Sequence, residues 1–266
     1  MRRRDFLTRS GLAAGAFTLP AFGRGKKQEK QFIELRIYHF ASAEKQQAFE
    51  QFLQSAAVPA FNRAGARPVG VFRLRMSDNL DLKLESESTD LYVLLAHTSI
   101  ESLTSFSGRL STDRTFQNAG EAIIHAPKSD AAFVRYESSL IFSFDAFPRL
   151  KLPTQAESRL LQLRIYESHS NERARKKIEM FNEGGELKIF ERCGMTGVFF
   201  GQTLIGSKLP SLTYMLGFPT EADQKKAWDT FRSDAEWKRL SKADEYKDAV
   251  SNVTNLILRP AGGSQI

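Results

Sequence analysis

The chain has 266 residues, of which 41% are apolar and 26% charged. That composition suits one large or two small packed domains and excludes a collagenous chain or wholesale disorder. The net charge of +7 includes +3 carried by Arg2, Arg3, Arg4, Arg9 and Asp5, and the remainder is too evenly spread to point to nucleic acid. The one cysteine, Cys193, excludes an internal disulfide, a thiolate zinc site and an iron–sulfur cluster.

At the start, Arg3-Arg4-Asp5-Phe6-Leu7 precedes an uncharged run from Gly11 to Gly23. The run is shorter than the roughly 20 residues that span a bilayer, so no transmembrane segment is expected. Residues 1–23 read instead as a signal peptide with a small-x-small site at Ala21-Phe22-Gly23. The paired arginines resemble a twin-arginine export signal, although Arg2 stands where that pattern usually has Ser or Thr. The expected location is periplasmic or extracellular. Residues 24–30, polar and glycine-containing, read as a linker.

Beyond the linker one pattern is written twice. Leu35-Arg36-Ile37-Tyr38 recurs as Leu163-Arg164-Ile165-Tyr166, each opening an alternating strand. Behind the first, Phe49, Phe52, Leu53, Ala56 and Ala60 recur at helical spacing; behind the second, Ile178, Phe181 and Ile189 do so. Both helices stop alike, Phe61-x-Arg63-x-Gly65 matching Phe190-x-Arg192-x-Gly194, with glycine supplying the left-handed cap. Pro59 and Gly184-Gly185 are expected to bend or shorten them. Two further strands follow in each copy, Gly70-Val71-Phe72 with Leu91-Tyr92-Val93-Leu94, and Gly197-Val198-Phe199 with 212–216. Second helices are predicted over 100–116 and 221–240, and closing strands over 139–142 and 255–258. The order strand, helix, strand, strand, helix, strand predicts an α+β fold of two ferredoxin-like (βαββαβ) units. Their expected spans are 31–150 and 160–260, with a linker at 151–159 and a tail at 261–266.

The repeated Leu-Arg-Ile-Tyr opening resembles the NIPSNAP family. The second copy resembles its bacterial exported members through Val198-Phe199-Phe200-Gly201, Leu209-Pro210-Ser211-Leu212-Thr213-Tyr214-Met215-Leu216, the run from Asp234 to Leu240, Ser251-Asn252-Val253-Thr254-Asn255 and Ser264-Gln265-Ile266. The first copy is more diverged. The resemblance implies the dimeric-type α/β barrel, here closed by two units of one chain, and implies little chemistry.

In such a barrel the faces not covered by helices meet and enclose a lumen. Alternation puts Ile33, Leu35 and Ile37 on one face of the opening strand, expected to pack on helices, and Glu34, Arg36 and Tyr38 on the other. The second copy splits Leu161, Leu163 and Ile165 from Gln162, Arg164 and Tyr166 in the same way. Arg36, Tyr38, Arg164, Tyr166 and Asn255 are therefore expected to line a polar lumen, either as a site for a small anionic or amphipathic ligand or as arginines paired with carboxylates such as Glu34. His39, His97, His125 and His169 stand singly, so no metal site is expected. No cofactor is assigned, although a haem would need only one of them. Trp228, Phe231 and Trp237 read as packing. Arg173, Arg175, Lys176 and Lys177 read as a solvated helix face.

No catalytic constellation emerges. The expected function is a non-catalytic binding or interaction module, with a small molecule and further copies of the chain as open partners. The alternative is a small enzyme of the cofactor-independent monooxygenase or haem-handling barrel type.

Overall fold

The computed structural model describes residues 28–266. The signal peptide and most of the 24–30 linker lie outside the described residues. The first half runs β1 (Phe32–His39), α1 (Ala43–Phe52), α2 (Val58–Arg63), β2 (Val69–Leu74), β3 (Leu91–His97), α3 (Ile100–Thr104), α4 (Phe106–Thr112), α5 (Arg114–Ala119), α6 (Glu121–Ile124) and β4 (Arg135–Ser143). The second half runs β5 (Leu160–Glu167), α7 (Asn171–Asn182), α8 (Glu186–Arg192), β6 (Thr196–Ile205), β7 (Ser211–Phe218), α9 (Glu221–Ser233), α10 (Ala235–Leu240) and β8 (Asn252–Pro260).

The eight strands close an antiparallel barrel in the order β1-β3-β2-β8-β5-β7-β6-β4. Each half contributes four neighbouring strands, and the halves meet at two seams, β2 with β8 and β4 with β6. Closure removes every exposed sheet edge, so the backbone groups of each half find partners in the other.

Local chemistry sets the helix limits. Ser42, Ser170 and Thr220 accept the backbone N–H of Lys45, Arg173 and Asp223, capping α1, α7 and α9. Gly65 and Gly194 end their helices at φ 93° and 83°, in the left-handed region that favours glycine. The expected breaks occur, but in different ways. Gly185, at φ 92°, separates α7 from α8. Pro59 does not end its helix: the preceding turn opens into a π segment, Leu53–Ala57, and the proline sits in the first turn of α2, where no N–H is needed. The helix predicted over 100–116 is instead divided, since Asp113 turns its carboxylate onto the Phe116 N–H and starts a new helix.

Three apolar layers result. One lies under the helices of the first half, around Phe49, Leu53, Val71 and Val93; another under those of the second, around Phe181, Phe190, Tyr214 and Phe231. Between them the barrel interior is filled by both halves, with Ile33, Leu35, Phe72 and Leu94 meeting Leu161, Leu163, Phe199 and Met215. The expected polar lumen is corrected here: the interior is an apolar core. The alternation holds, with each face turned opposite to the expectation. Ile33 and Leu35 point into the barrel, and Arg36 and Tyr38 point to the helices.

Candidate functional site

None of the five predicted ligand residues faces the lumen. Arg36 and Tyr38 lie beneath the helices of the first half, and Arg164, Tyr166 and Asn255 beneath those of the second, so the two arginines do not share a site. The reason is solvation. A closed barrel interior offers no water to a guanidinium, whereas the crevice between a sheet and its helices opens at its edge and lets a long side chain keep its head partly wet.

In the first half the arginine is satisfied from within the chain. Arg36 Nε and Nη2 donate to the two Glu34 oxygens at 2.7 and 3.0 Å, a bidentate pair. Ser138 Oγ also donates to Glu34 at 2.8 Å, and His97 Nε2 lies 3.4 Å from it. The guanidinium rests between the rings of Phe106 and Tyr136. Burial alone would raise the Glu34 pKa, but His97, Arg36 and Ser138 hold it at about 2.

The second half repeats the frame with different contents. Position 162, equivalent to Glu34, is Gln162. Its Nε2 donates to Asn255 Oδ1 at 2.6 Å, and its Oε1 accepts from Trp228 Nε1 at 2.7 Å. No carboxylate is left for Arg164: among the described residues none forms an ion pair with it, and its Nε is buried without a hydrogen-bond partner. The guanidinium lies over Trp228, 4.7 Å from the ring centroid, and over Tyr166 at 5.2 Å. These groups line an open crevice of about 400 Å³ between β5, β8 and the helices α8, α9 and α10, with Glu186, Phe231, Arg232 and Trp237 completing it.

Behind the crevice lies a buried ion pair. Lys177 Nζ donates to Glu186 Oε2 at 2.7 Å, and both residues are more than nine-tenths buried. Burial pushes the Glu186 pKa up despite the neighbouring Lys177 and Arg164. Tyr214 donates to Tyr166 at 2.7 Å, and burial raises both phenols as well. With one carboxylate between Lys177 and Arg164, the cluster carries one excess positive charge, and it lies at Arg164. Lys177 therefore departs from the solvated face expected of its run. Helical spacing turns it inward, and the break at Gly185 brings Glu186 back beneath it. The other three charges of that run stay at the surface, with Arg175 paired to Glu172 and Glu179, and the half-buried Lys176 to Glu179 and Glu245.

One of these features is legible in the sequence. Superposing the repeats puts Gln162 on Glu34, which signals a lost partner. The contacts of Trp228 with Arg164 and Gln162 are not legible in the sequence, because helical spacing shows only that a ring faces the sheet. Cys193 is buried, and burial raises its thiol pKa, as suits an inert side chain. His125 and His169 are exposed, while His39 Nδ1 lies 2.8 Å from Asp90. Among the described residues no three His, Cys, Asp or Glu side chains gather as a metal-holding group. None of the helices there is long and apolar enough to cross a membrane.

The NIPSNAP family model matches residues 161–265. That span is a NIPSNAP domain. It contains the whole Arg164 crevice, and the match does not extend into the first half. No curated protein matches the chain. Among solved structures, a candidate monooxygenase from Fusobacterium nucleatum is 8% identical, with 90% of this chain and 97% of that one covered and a TM-score of 0.57. A candidate monooxygenase from Lactobacillus acidophilus is 10% identical over 90% and 99%, with a TM-score of 0.54. At such identities the likeness is one of fold. An uncharacterised NIPSNAP-like domain protein from Burkholderia xenovorans is 20% identical over 41% of this chain and 91% of its own, with a TM-score of 0.38.

Proposed function

We propose that the protein is an exported, non-catalytic binding module, and that its NIPSNAP domain takes a small carboxylate with a flat apolar body into the Arg164 crevice. One observation carries this reading. Two arginines at matching positions differ in that Arg36 grips Glu34 bidentately, while Arg164 has no carboxylate partner among the described residues. Glu34 thus stands where a ligand carboxylate would stand in the other half. Arg164 supplies the charge and the paired donors, Asn255 an amide at the edge, and Trp228, Trp237 and Tyr166 the walls for an apolar body. The crevice offers a guanidinium, amides and rings, which are binding groups. Its one carboxylate, Glu186, is engaged by Lys177.

We read the two halves as copies of one ferredoxin-like unit, because each places its strands in the order fourth, first, third, second. Divergence after duplication then explains why one copy closes its anion site internally and the other leaves it open. The twin-arginine signal supports export to the periplasm or beyond. The likeness of this chain to two structures described as monooxygenases is one of fold and brings no reacting groups with it.

Thermal melts with acetate, benzoate, indole-3-acetate and phosphate test the site. Benzoate and indole-3-acetate are expected to raise the melting temperature, by the equivalent of about 2.7 kcal/mol at a hundredfold excess over Kd. Acetate and phosphate, which cannot use the aromatic walls, should raise it less. Arg164→Met, which leaves no newly orphaned carboxylate beside it, should cost about 1 kcal/mol or less without ligand and should abolish the rise. The reading fails if no carboxylate shifts the melt, or if Arg164→Met responds as the parent does.

A further inference from the structure

A second cavity lies on the other side of the β5 wall. At the end of the barrel where β1 and β5 finish and β4, β7 and β8 begin, the interior is not filled to the rim. A pocket of about 270 Å³ remains there. Its floor and sides come from both halves, with Leu35 and Ile37 facing Leu163, Ile165 and Leu256. These are the residues that continue the apolar core below, so the pocket offers a ligand the same environment as the barrel interior.

Apart from Glu137 and Lys208, the polar side chains that line the pocket are hydroxyls, and not all are satisfied. Ser211 is 2% exposed, lines the cavity, and its Oγ has no hydrogen-bond partner. Beside it Thr203 and Thr213, both buried, share one hydrogen bond at 2.9 Å. Two hydroxyls bring two protons and their mutual bond uses one, so the pair has a donor to spare. A buried hydroxyl without a partner costs on the order of a hydrogen bond, and here the unused donors point into an apolar-walled space.

The charges at the rim, by contrast, are engaged with one another. Lys208 Nζ donates to Thr254 Oγ1 at 2.5 Å and lies 4.0 Å from Glu167. His39 stands between Asp90 at 2.8 Å and Glu137 at 3.3 Å. The charged residues that line the pocket are one of each sign, Lys208 and Glu137, and Arg135 lies 3.7 Å from Glu137, so an anionic head meets no net positive charge there. This is the reverse of the Arg164 crevice.

We propose that the barrel mouth is a second binding site, for a small neutral aliphatic molecule bearing one carbonyl or hydroxyl group, such as a medium-chain ketone, lactone or alcohol. The aliphatic chain lies on Leu35, Ile37, Leu163 and Ile165, and the oxygen accepts from Ser211. A volume just below the roughly 300 to 1,000 Å³ of drug-sized pockets sets the limit on chain length. The proposal is independent of the Arg164 reading, because Arg164 and Ile165 point to opposite faces of β5 and either site can fail alone.

Saturation-transfer NMR and calorimetric titration of the full mature chain with 2-octanone, 1-octanol and octanoate test it. The ketone and the alcohol are expected to bind, and octanoate at least about tenfold more weakly, because its charge is desolvated where Lys208 is offset by Glu137. Ser211→Ala, which deletes a single oxygen, should weaken the ketone about five- to tenfold. Ile165→Phe, which fills the cavity, should abolish binding, and Arg164→Met should leave it unchanged. If Ile165→Phe does not fold, Ser211→Ala and the octanoate comparison still decide. Octanoate binding as tightly as octanone, a ketone affinity indifferent to Ser211→Ala, or no binding by any of the three would overturn the proposal. The last result would mean a cavity occupied by water alone.

Discussion

The Gln162→Glu protein is expected to lose carboxylate binding at Arg164 by about a hundredfold, or about 3 kcal/mol, while keeping its fold. The substitution gives the second half the residue that the first half already has. Residues 34 and 36 lie two apart on one strand face, and there the carboxylate reaches the guanidinium in two bonds of 2.7 and 3.0 Å. Residues 162 and 164 have the same spacing on β5 and the same helix-side orientation, so a glutamate at 162 should close onto Arg164 similarly. It would be held at high effective concentration by the strand itself and would repel an incoming anion. Trp228 Nε1, which now donates to Gln162, remains a donor to it, and Asn255, which now accepts from Gln162, must turn its amide to donate. At neutral pH the variant should melt no lower than the parent, because a guanidinium without a partner acquires one. Calorimetric titration with indole-3-acetate measures the loss. Undiminished affinity in Gln162→Glu would mean that the carboxylate binds elsewhere.

The converse substitution should be costly. Glu34→Gln leaves Arg36 under the helices of the first half without its partner, and breaking a pair of this burial costs about 3 to 5 kcal/mol. The Glu34 side chain is 8% exposed and that of Arg36 13%, so solvent can compensate for little of it. The dependence on pH has a definite sign. The Glu34 carboxyl titrates at about 2 in the folded chain against an ordinary 4.5. A depressed folded value means stability that is fully present above the unfolded pKa and is lost as pH falls through the folded one, here about 3 kcal/mol between roughly pH 5 and pH 2. Parent and Glu34→Gln should therefore differ most at pH 7 in urea unfolding and converge toward pH 2.5. A gap of the same size at both pH values would show that Glu34 acts through packing and not through its charge.

Much of the architecture follows from local rules. Period-two alternation marks the opening strands, periodic aromatics mark the helices, and glycine ends them at Gly65 and Gly194 because the backbone turns left-handed there. The repeated order of elements, with one bare sheet face in each half, leads to a barrel, since two bare faces in one chain bury each other best. The correspondence of Arg36 with Arg164, and the change from Glu34 to Gln162, can also be read from the repeats alone.

Alternation sorts side chains into two sets, but it does not say which set faces inward. In a barrel wrapped by helices both faces of every strand are covered, so both sets need apolar residues, and Leu35 and Tyr38 suit either place. The choice depends on water: the closed interior admits none and selects Ile, Leu, Phe and Met, while the edges of the helix layers admit some and tolerate arginine. Chain-distant pairing is likewise invisible in one dimension. Lys177 sits in a basic run and looks solvated until the break at Gly185 folds Glu186 beneath it. Trp228 becomes the floor under Arg164 only when α9 is laid across β5. Sequence alone thus determines the elements, their order and the candidate residues. Tertiary packing decides the sign of each face and the partner of each charge, because both depend on where water can reach.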